Sequence, residues 1–253
     1  MSETSSEFPA SWYAIAGPAQ FWMEWRLLAF LAQLRALPSD LGASLRALDV
    51  GAGQGVLRAQ LEAVTRWTID ICDTNPAVRP LPGRGESWTY DVSERAPERV
   101  GRYDAVLLFD VLEHADEPSM LLRDAAAHLR SGGHLFVNVP ALPAFHSGYD
   151  RVVGHRRRYS RRSLQAEFER SGLRVLDLRY WGLGMLPLLV ARWLLQRGEP
   201  RDAEERERWL RDGLEPPARS VDRVLRAIAR AETRWLAPAP LGSSLLCAGV
   251  AAR

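Results

Sequence analysis

Short apolar runs alternate along this chain with longer stretches whose apolar residues recur every three or four positions. Phe21, Trp22, Trp25, Leu28, Leu31 and Leu34 share helical spacing, so a helix is expected over 19–37, ended by Pro38. Arg46–Val50, 68–72, 88–90, Tyr103–Phe109, 134–139 and 173–180 read as strands, and 241–251 as a seventh. The apolar run from Ala105 to Phe109 is unbroken, which implies a strand covered on both faces, as in a parallel sheet. Helical patterns lie between strands at 55–65, 117–129 and 163–172; Ser131-Gly132-Gly133 is expected to stop the second and Gly172 the third. Regular alternation of this kind predicts a three-layer α/β sandwich around a mostly parallel sheet. Residues 181–240 break the rhythm with an apolar stretch at 181–195, a charged run at 199–215 and a helical pattern at 220–235.

Composition narrows the class. The chain has 253 residues, 47% of them apolar, enough for a sizeable core. The formal net charge is +2, too balanced to demand nucleic acid, and all 33 basic residues are arginine. The two cysteines, Cys72 and Cys247, fall inside strand-like runs and point to neither a disulfide framework nor a metal site. Residues 1–10 are polar and expected to be disordered, with no signal-peptide pattern, so a cytoplasmic location is expected. The 181–195 stretch is short for a membrane span and holds Pro187 and Arg192, so it is read as a lid or a peripheral membrane or partner contact.

The organising stretch is Leu48-Asp49-Val50-Gly51-Ala52-Gly53-Gln54-Gly55, a strand, a glycine turn and a helix start. Glycine spacing here is G-x-G-x-G rather than the G-x-G-x-x-G of a dinucleotide fingerprint. Asp49, two residues before Gly51, would oppose a pyrophosphate but suit a cationic ligand. At Asp73-Thr74, ending the second strand, a carboxylate can accept from two ribose hydroxyls; Asp70 is a rival that strand alternation turns away. Asp91 would cap the helical segment after the third strand. A further run, Asp110-Val111-Leu112-Glu113-His114, follows the fourth strand, and Gly132-Gly133 precedes the fifth.

The glycine turn, and more specifically the block from Tyr103-Asp104 through Val111-Leu112-Glu113-His114 to Gly132-Gly133, resembles the class I S-adenosylmethionine-dependent methyltransferases. The resemblance implies a Rossmann-like, seven-stranded, mostly parallel sheet with an antiparallel last strand, and 181–240 as a helical insertion between strands six and seven. It implies a cofactor core at 41–180 and 241–253, covered by an N-terminal segment and helix at 1–40. It also implies S-adenosylmethionine as cofactor, S-adenosylhomocysteine as product, no metal, and contacts from Arg26, Asp49, Gly51, Gly53, Asp73, Thr74, Asp91, Val92, Asp110 and His114.

After strand five, 145–161 gathers His146, Tyr149, Asp150, His155 and the run Arg156-Arg157-Arg158-Tyr159. The Gly154-His155-x-Arg157-Arg158-Tyr159 pattern resembles a bacterial subgroup found in saccharide, lipid and secondary-metabolite pathways. Catalytic candidates are His155, His146, His114 and Tyr159; Arg157, Arg158 and Tyr149 are candidates to hold an anionic acceptor. Small-molecule O-methylation is the expectation. RNA methylation, a non-catalytic cofactor-binding subunit and, last, a nicotinamide oxidoreductase are the alternatives. Oligomeric state is not legible.

Overall fold

The computed structural model of the protein describes residues 20–37, 41, 44–215 and 217–251; the expectation of disorder over residues 1–10 lies outside them. Seven strands form one sheet: β1 Arg46–Val50, β2 Thr68–Asp73, β3 Ser87–Thr89, β4 Tyr103–Phe109, β5 Leu129–Pro140, β6 Leu173–Trp181 and β7 Ser244–Ala251, in the order β3-β2-β1-β4-β5-β7-β6. Pairings from β3 through β5 are parallel, and β7 inserts antiparallel between β5 and β6. The helices are α1 Phe21–Ala36, α2 Val56–Val64, α3 Pro118–Ala126, α4 Gly148–Val152, α5 Arg161–Arg170, α6 Leu186–Leu195, α7 Ala203–Leu214 and α8 Arg219–Trp235.

Strand alternation builds the two cores. On β4, Ala105, Leu107 and Phe109 face one side, where α1, α2 and α8 contribute Trp25, Phe30, Leu61 and Leu225. Val106 and Leu108 face the other, against Leu122 of α3 and Leu164 and Phe168 of α5. Both faces are apolar because both are covered, and the unbroken run in the sequence is the consequence. The helix at α3 corrects one expectation: it ends at Ala126, and Ser131-Gly132-Gly133 lie inside β5. Pairing of β5 with β4 jumps from Tyr103↔Leu129 to Ala105↔His134, so the glycines form a bulge rather than a helix stop.

The 181–240 insertion is helical, as expected, and is tied at both ends. Glu232 of α8 accepts from the backbone N–H of Gly182 (2.7 Å) and Gly184 (3.1 Å), fixing α8 to the exit of β6. Arg226 and Arg230 of α8 pair with Glu24 of α1. At the other end, Gly148 donates to the Gln196 carbonyl (2.8 Å), and a Cβ there would lie 1.6 Å from the Gly198 oxygen, so only glycine fits beneath this turn.

Phe30 anchors α1, with its ring edge-on to Phe109 and Phe136 at 5.0 and 5.1 Å and no exposed surface. Replacing it with alanine removes a filled volume at the centre of that core. Phe30→Ala should lower unfolding free energy by about 3–5 kcal/mol in urea titrations at an unchanged m-value; a loss below about 1 kcal/mol would contradict the packing described.

Candidate active site at the carboxyl edge of the sheet

The strand ends at β1, β2 and β4 gather carboxylates at one edge. Asp49, on β1, is 2% exposed and accepts no hydrogen bond among the described residues. Burial pushes its carboxyl up to about 7, although the guanidinium groups of Arg26 and Arg58 pull the other way. Gly51 follows at φ +65°, and a Cβ on it would lie 2.7 Å from Val111 Cγ2, so the turn is closed to any side chain. Asp73, at the end of β2, accepts from Gly53 N and Asn75 N, each at 2.9 Å, which fixes its carboxylate against the glycine turn. Thr74 continues beyond it. Asp70, the rival acid, is buried away from the glycine turn and accepts from Tyr103 Oη, Arg46 and the Glu86 N–H. Asp91 is exposed and caps a 3-10 turn at Val92–Glu94 through Ser93 N (2.8 Å), while Val92 is buried.

Asp110 ends β4 in a left-handed conformation, φ 60°. Its carboxylate pairs with the buried Arg26 and accepts from Asn138 Nδ2 (2.6 Å), and Asn138 Oδ1 in turn accepts from Trp181 Nε1 (2.8 Å). One polar chain thus joins α1, β4, β5 and β6. Asn138 and Trp181 were not singled out in the sequence. A polar residue inside the otherwise apolar β5 was the signal for Asn138. Arg26 is committed to Asp110 and to Met23 Sδ, while its Nε has no hydrogen-bond partner.

Behind Asp110 lies a second cluster. Glu113 is fully buried, neither carboxylate oxygen has a hydrogen-bond partner, and burial with the nearby Asp110 charge raises its carboxyl well above the usual range. His155 spans two carboxylates: Nδ1 is 3.3 Å from Asp150 Oδ1 and Nε2 is 3.8 Å from Glu113 Oε1. Asp150 also accepts from Ser147 N and Oγ and pairs with Arg158 (2.8 Å); burial pushes its carboxyl up, but His155 and Arg158 outweigh that and hold it well below the usual range. The His114 ring meets that of His155 edge-on at 4.8 Å. His114 Nδ1 lies 3.0 Å from the Gly154 carbonyl, which can only accept, so Nδ1 carries the proton. Burial, reinforced by His155, lowers His114 to about 4. Glu113, His114 and His155 each place one ligand atom within 4.8 Å of the others, a carboxylate and imidazole set of the kind that binds a divalent cation.

Four candidates take other roles. Tyr159 is buried and donates to the Leu112 carbonyl (3.2 Å), so its hydroxyl supports the loop after β4 rather than chemistry. Arg158 is spent on Asp150 and the Ala141 carbonyl, and Tyr149 is buried beneath Arg192. His146 lies outside the Glu113–His155 cluster, with Nε2 3.0 Å from the His155 carbonyl. Arg157 remains at the edge, with Nη2 3.3 Å from the Asp116 carbonyl. Asp150 and Glu113 appeared in the sequence only as members of motifs; their roles come from burial.

The residues fit a sulfonium nucleoside. An orphaned buried carboxylate at Asp49, a glycine turn without room for side chains and a fixed carboxylate at Asp73 offer a cation site, a close backbone approach and an acceptor for hydroxyls.

Comparison with known proteins addresses the fold and the family. A ubiquinone biosynthesis O-methyltransferase of Marinobacter nauticus is 34% identical over 105 residues, covering 38% of this chain and 44% of that protein. The match thus spans less than half the length of that relative. Among solved structures, a SAM-dependent methyltransferase from Archaeoglobus fulgidus shares the fold with TM-score 0.53 and 16% identity, over 90% of this chain and 95% of that one. The 4+2 cyclase SpnF shares it with TM-score 0.57 and 16% identity, over 92% and 82%. The methyltransferase-domain family matches residues 22–178, from α1 into β6, the same elements that frame the acidic edge. Because that match covers more than half of the chain, the protein belongs to the methyltransferase-domain family of class I S-adenosylmethionine-dependent enzymes.

Proposed function

We propose that the protein transfers a methyl group from S-adenosylmethionine to an oxygen of a small-molecule acceptor. The observation that carries this reading is the juxtaposition of the Asp49–Asp73–Asp110 edge with the cluster of half-buried His114 and His155 on buried Glu113. The oxygen-methylating relative supports the choice of oxygen. The cofactor, when bound, supplies a methyl carbon on a sulfonium. Asp49 would face that positive charge, Asp73 would accept from the ribose hydroxyls, and the glycine turn would let the backbone approach the nucleoside. Oxygen attack breaks the acceptor O–H bond, and His114 is the base that receives the proton. Its Nδ1 proton is fixed by the Gly154 carbonyl, so Nε2 carries the lone pair, and its lowered pKa keeps it neutral above about pH 4. His155, with both nitrogens directed at carboxylates, orients His114 instead of acting as the base itself. Alignment and exclusion of water supply the rest of the rate. Nucleic acid is a poorer acceptor, because the basic run is internally neutralised: Arg156 pairs with Asp116, Arg158 with Asp150 and Arg151 with Glu199.

Ionised Asp49 binds a cation and protonated Asp49 does not. Affinity for S-adenosylmethionine should therefore rise with pH up to about 7 and level off above it, falling by up to about tenfold per unit below. Asp49→Asn should flatten that profile in calorimetric titrations; an unchanged slope in the variant would place the titration elsewhere. In the free protein the sign is opposite. A carboxyl raised by folding contributes most to stability below its unfolded value and loses that contribution as pH climbs to about 7.

Asp73→Ala should weaken cofactor binding by about 2 kcal/mol, roughly thirtyfold, through loss of charge-assisted hydrogen bonds; an unaltered Kd would remove Asp73 from the site. His114→Gln should leave cofactor affinity intact and lower kcat by about 10²–10⁴-fold, the range of general-base catalysis. Retention of activity within about twofold in that variant would transfer the base role from His114 to another group.

A further inference from the structure

Helix α6, Leu186–Leu195, has no buried residue although nearly all its side chains are apolar. Leu188, Leu194 and Leu195 are 47%, 51% and 82% exposed. On α8, Val221, Val224, Ile228 and Trp235 recur three, four and seven positions apart and form one exposed stripe beside the buried line of Leu225, Ala229 and Glu232. The turn that leads into α6 joins them: a Cβ on its Gly184 would lie 2.4 Å from Ile228 of α8. Exposed apolar faces on two helices joined in this way call for an occupant.

Charge selects it. Arg197, Arg223 and Arg234 are exposed on or beside these helices with no carboxylate partner among the described residues. Acidic residues of the insertion concentrate instead on α7, where Glu204 pairs with Arg208 and Glu207 with Arg211. A second copy of the chain would set these cations against one another across an isologous interface, whereas an anionic bilayer surface attracts them. No described helix is long and apolar enough to cross a membrane, so α6 and α8 would lie in the interface plane, with Trp235 and Arg234 at the boundary between acyl chains and headgroups.

We propose that α6 and the apolar stripe of α8 dock the protein peripherally on an anionic lipid bilayer. Docking there places the candidate active site at the membrane surface, because Trp193 of α6 packs edge-on against Phe145 (5.5 Å) and Arg192 stacks on Tyr149 (4.3 Å), both in the segment that carries His155. The occupant is set by apolar exposure and charge alone and holds whichever acceptor is methylated.

Co-sedimentation of the full chain with phosphatidylcholine vesicles, with and without phosphatidylglycerol, tests this. Binding is expected only with phosphatidylglycerol, and it should decline as salt rises. The exposed substitutions Leu195→Glu and Val224→Glu together should cut the bound fraction at least tenfold, with S-adenosylmethionine affinity and the thermal transition unchanged. Arg223→Glu with Arg234→Glu should reduce binding without touching the apolar surface. The proposal is overturned if the protein stays in the supernatant with either vesicle, if the Leu195/Val224 variant binds as well as the parent, or if the parent is a dimer that Val224→Glu converts to monomer. Vesicle binding needs no turnover, so a failed methyl-transfer assay leaves its result intact.

Discussion

The rest of the structure depends on how one sheet edge accommodates like charges. Asp49, Asp73 and Asp110 converge on the carboxyl ends of three adjacent strands, with Glu113 just behind. Carboxylates taken out of water repel one another and lose hydration, so such an edge must either protonate or import positive charge. It does both. Glu113 and Asp49 have raised carboxyl pKa values, and the buried Arg26 arrives on α1 to pair with Asp110. Arg58, also buried, is capped by the carbonyls of Leu81, Gly85 and Glu86 and adds its field from the other side. Asp49 and Glu113 are left without a hydrogen-bond partner for their carboxylates among the described residues, and of the two Asp49 stands beside the glycine turn.

The same constraint explains why α1 cannot be a detachable cover. Phe30 and Trp25 lock it into the apolar core, Arg26 completes the acidic edge, and Glu24 receives two arginines from α8. The insertion is thereby coupled to the edge through one helix. At its other end it is coupled through α4, where Gly148 lies beneath the turn after α6 and Asp150 collects His155 and Arg158. The described residues of the insertion are therefore tied to the sheet through β6 and α1 and to the segment after β5 through α4, with apolar side chains exposed on α6 and α8.

Much of this was legible in the linear pattern. Tyr103–Phe109 and Arg46–Val50 were placed residue for residue, because a strand buried on both faces leaves an unambiguous apolar run. Alternation along β2 sends Asp73 and Asp70 to different surroundings, Asp73 against the glycine turn and Asp70 into contact with Tyr103. Ser131-Gly132-Gly133 was misread because glycine serves both a helix end and a bulge, and only the pairing of β4 with β5 distinguishes them. Tyr159 and Arg158 raise a related point, because both are engaged in contacts inside the protein that the linear pattern does not show. A polar residue in a motif and a polar residue holding that motif together look alike until burial and partners are known.

By itself the sequence determined the elements, their alternation and the order in which acidic residues reach the strand ends, because local propensity and apolar periodicity are properties of neighbouring residues. Only the tertiary structure decided that Asp49 accepts no hydrogen bond among the described residues while Asp110 has two partners, that His155 lies between Asp150 and Glu113, and that α6 turns its leucines outward. Those outcomes depend on contacts between residues far apart in the chain, and desolvation, which sets their chemistry, exists only once such contacts have formed.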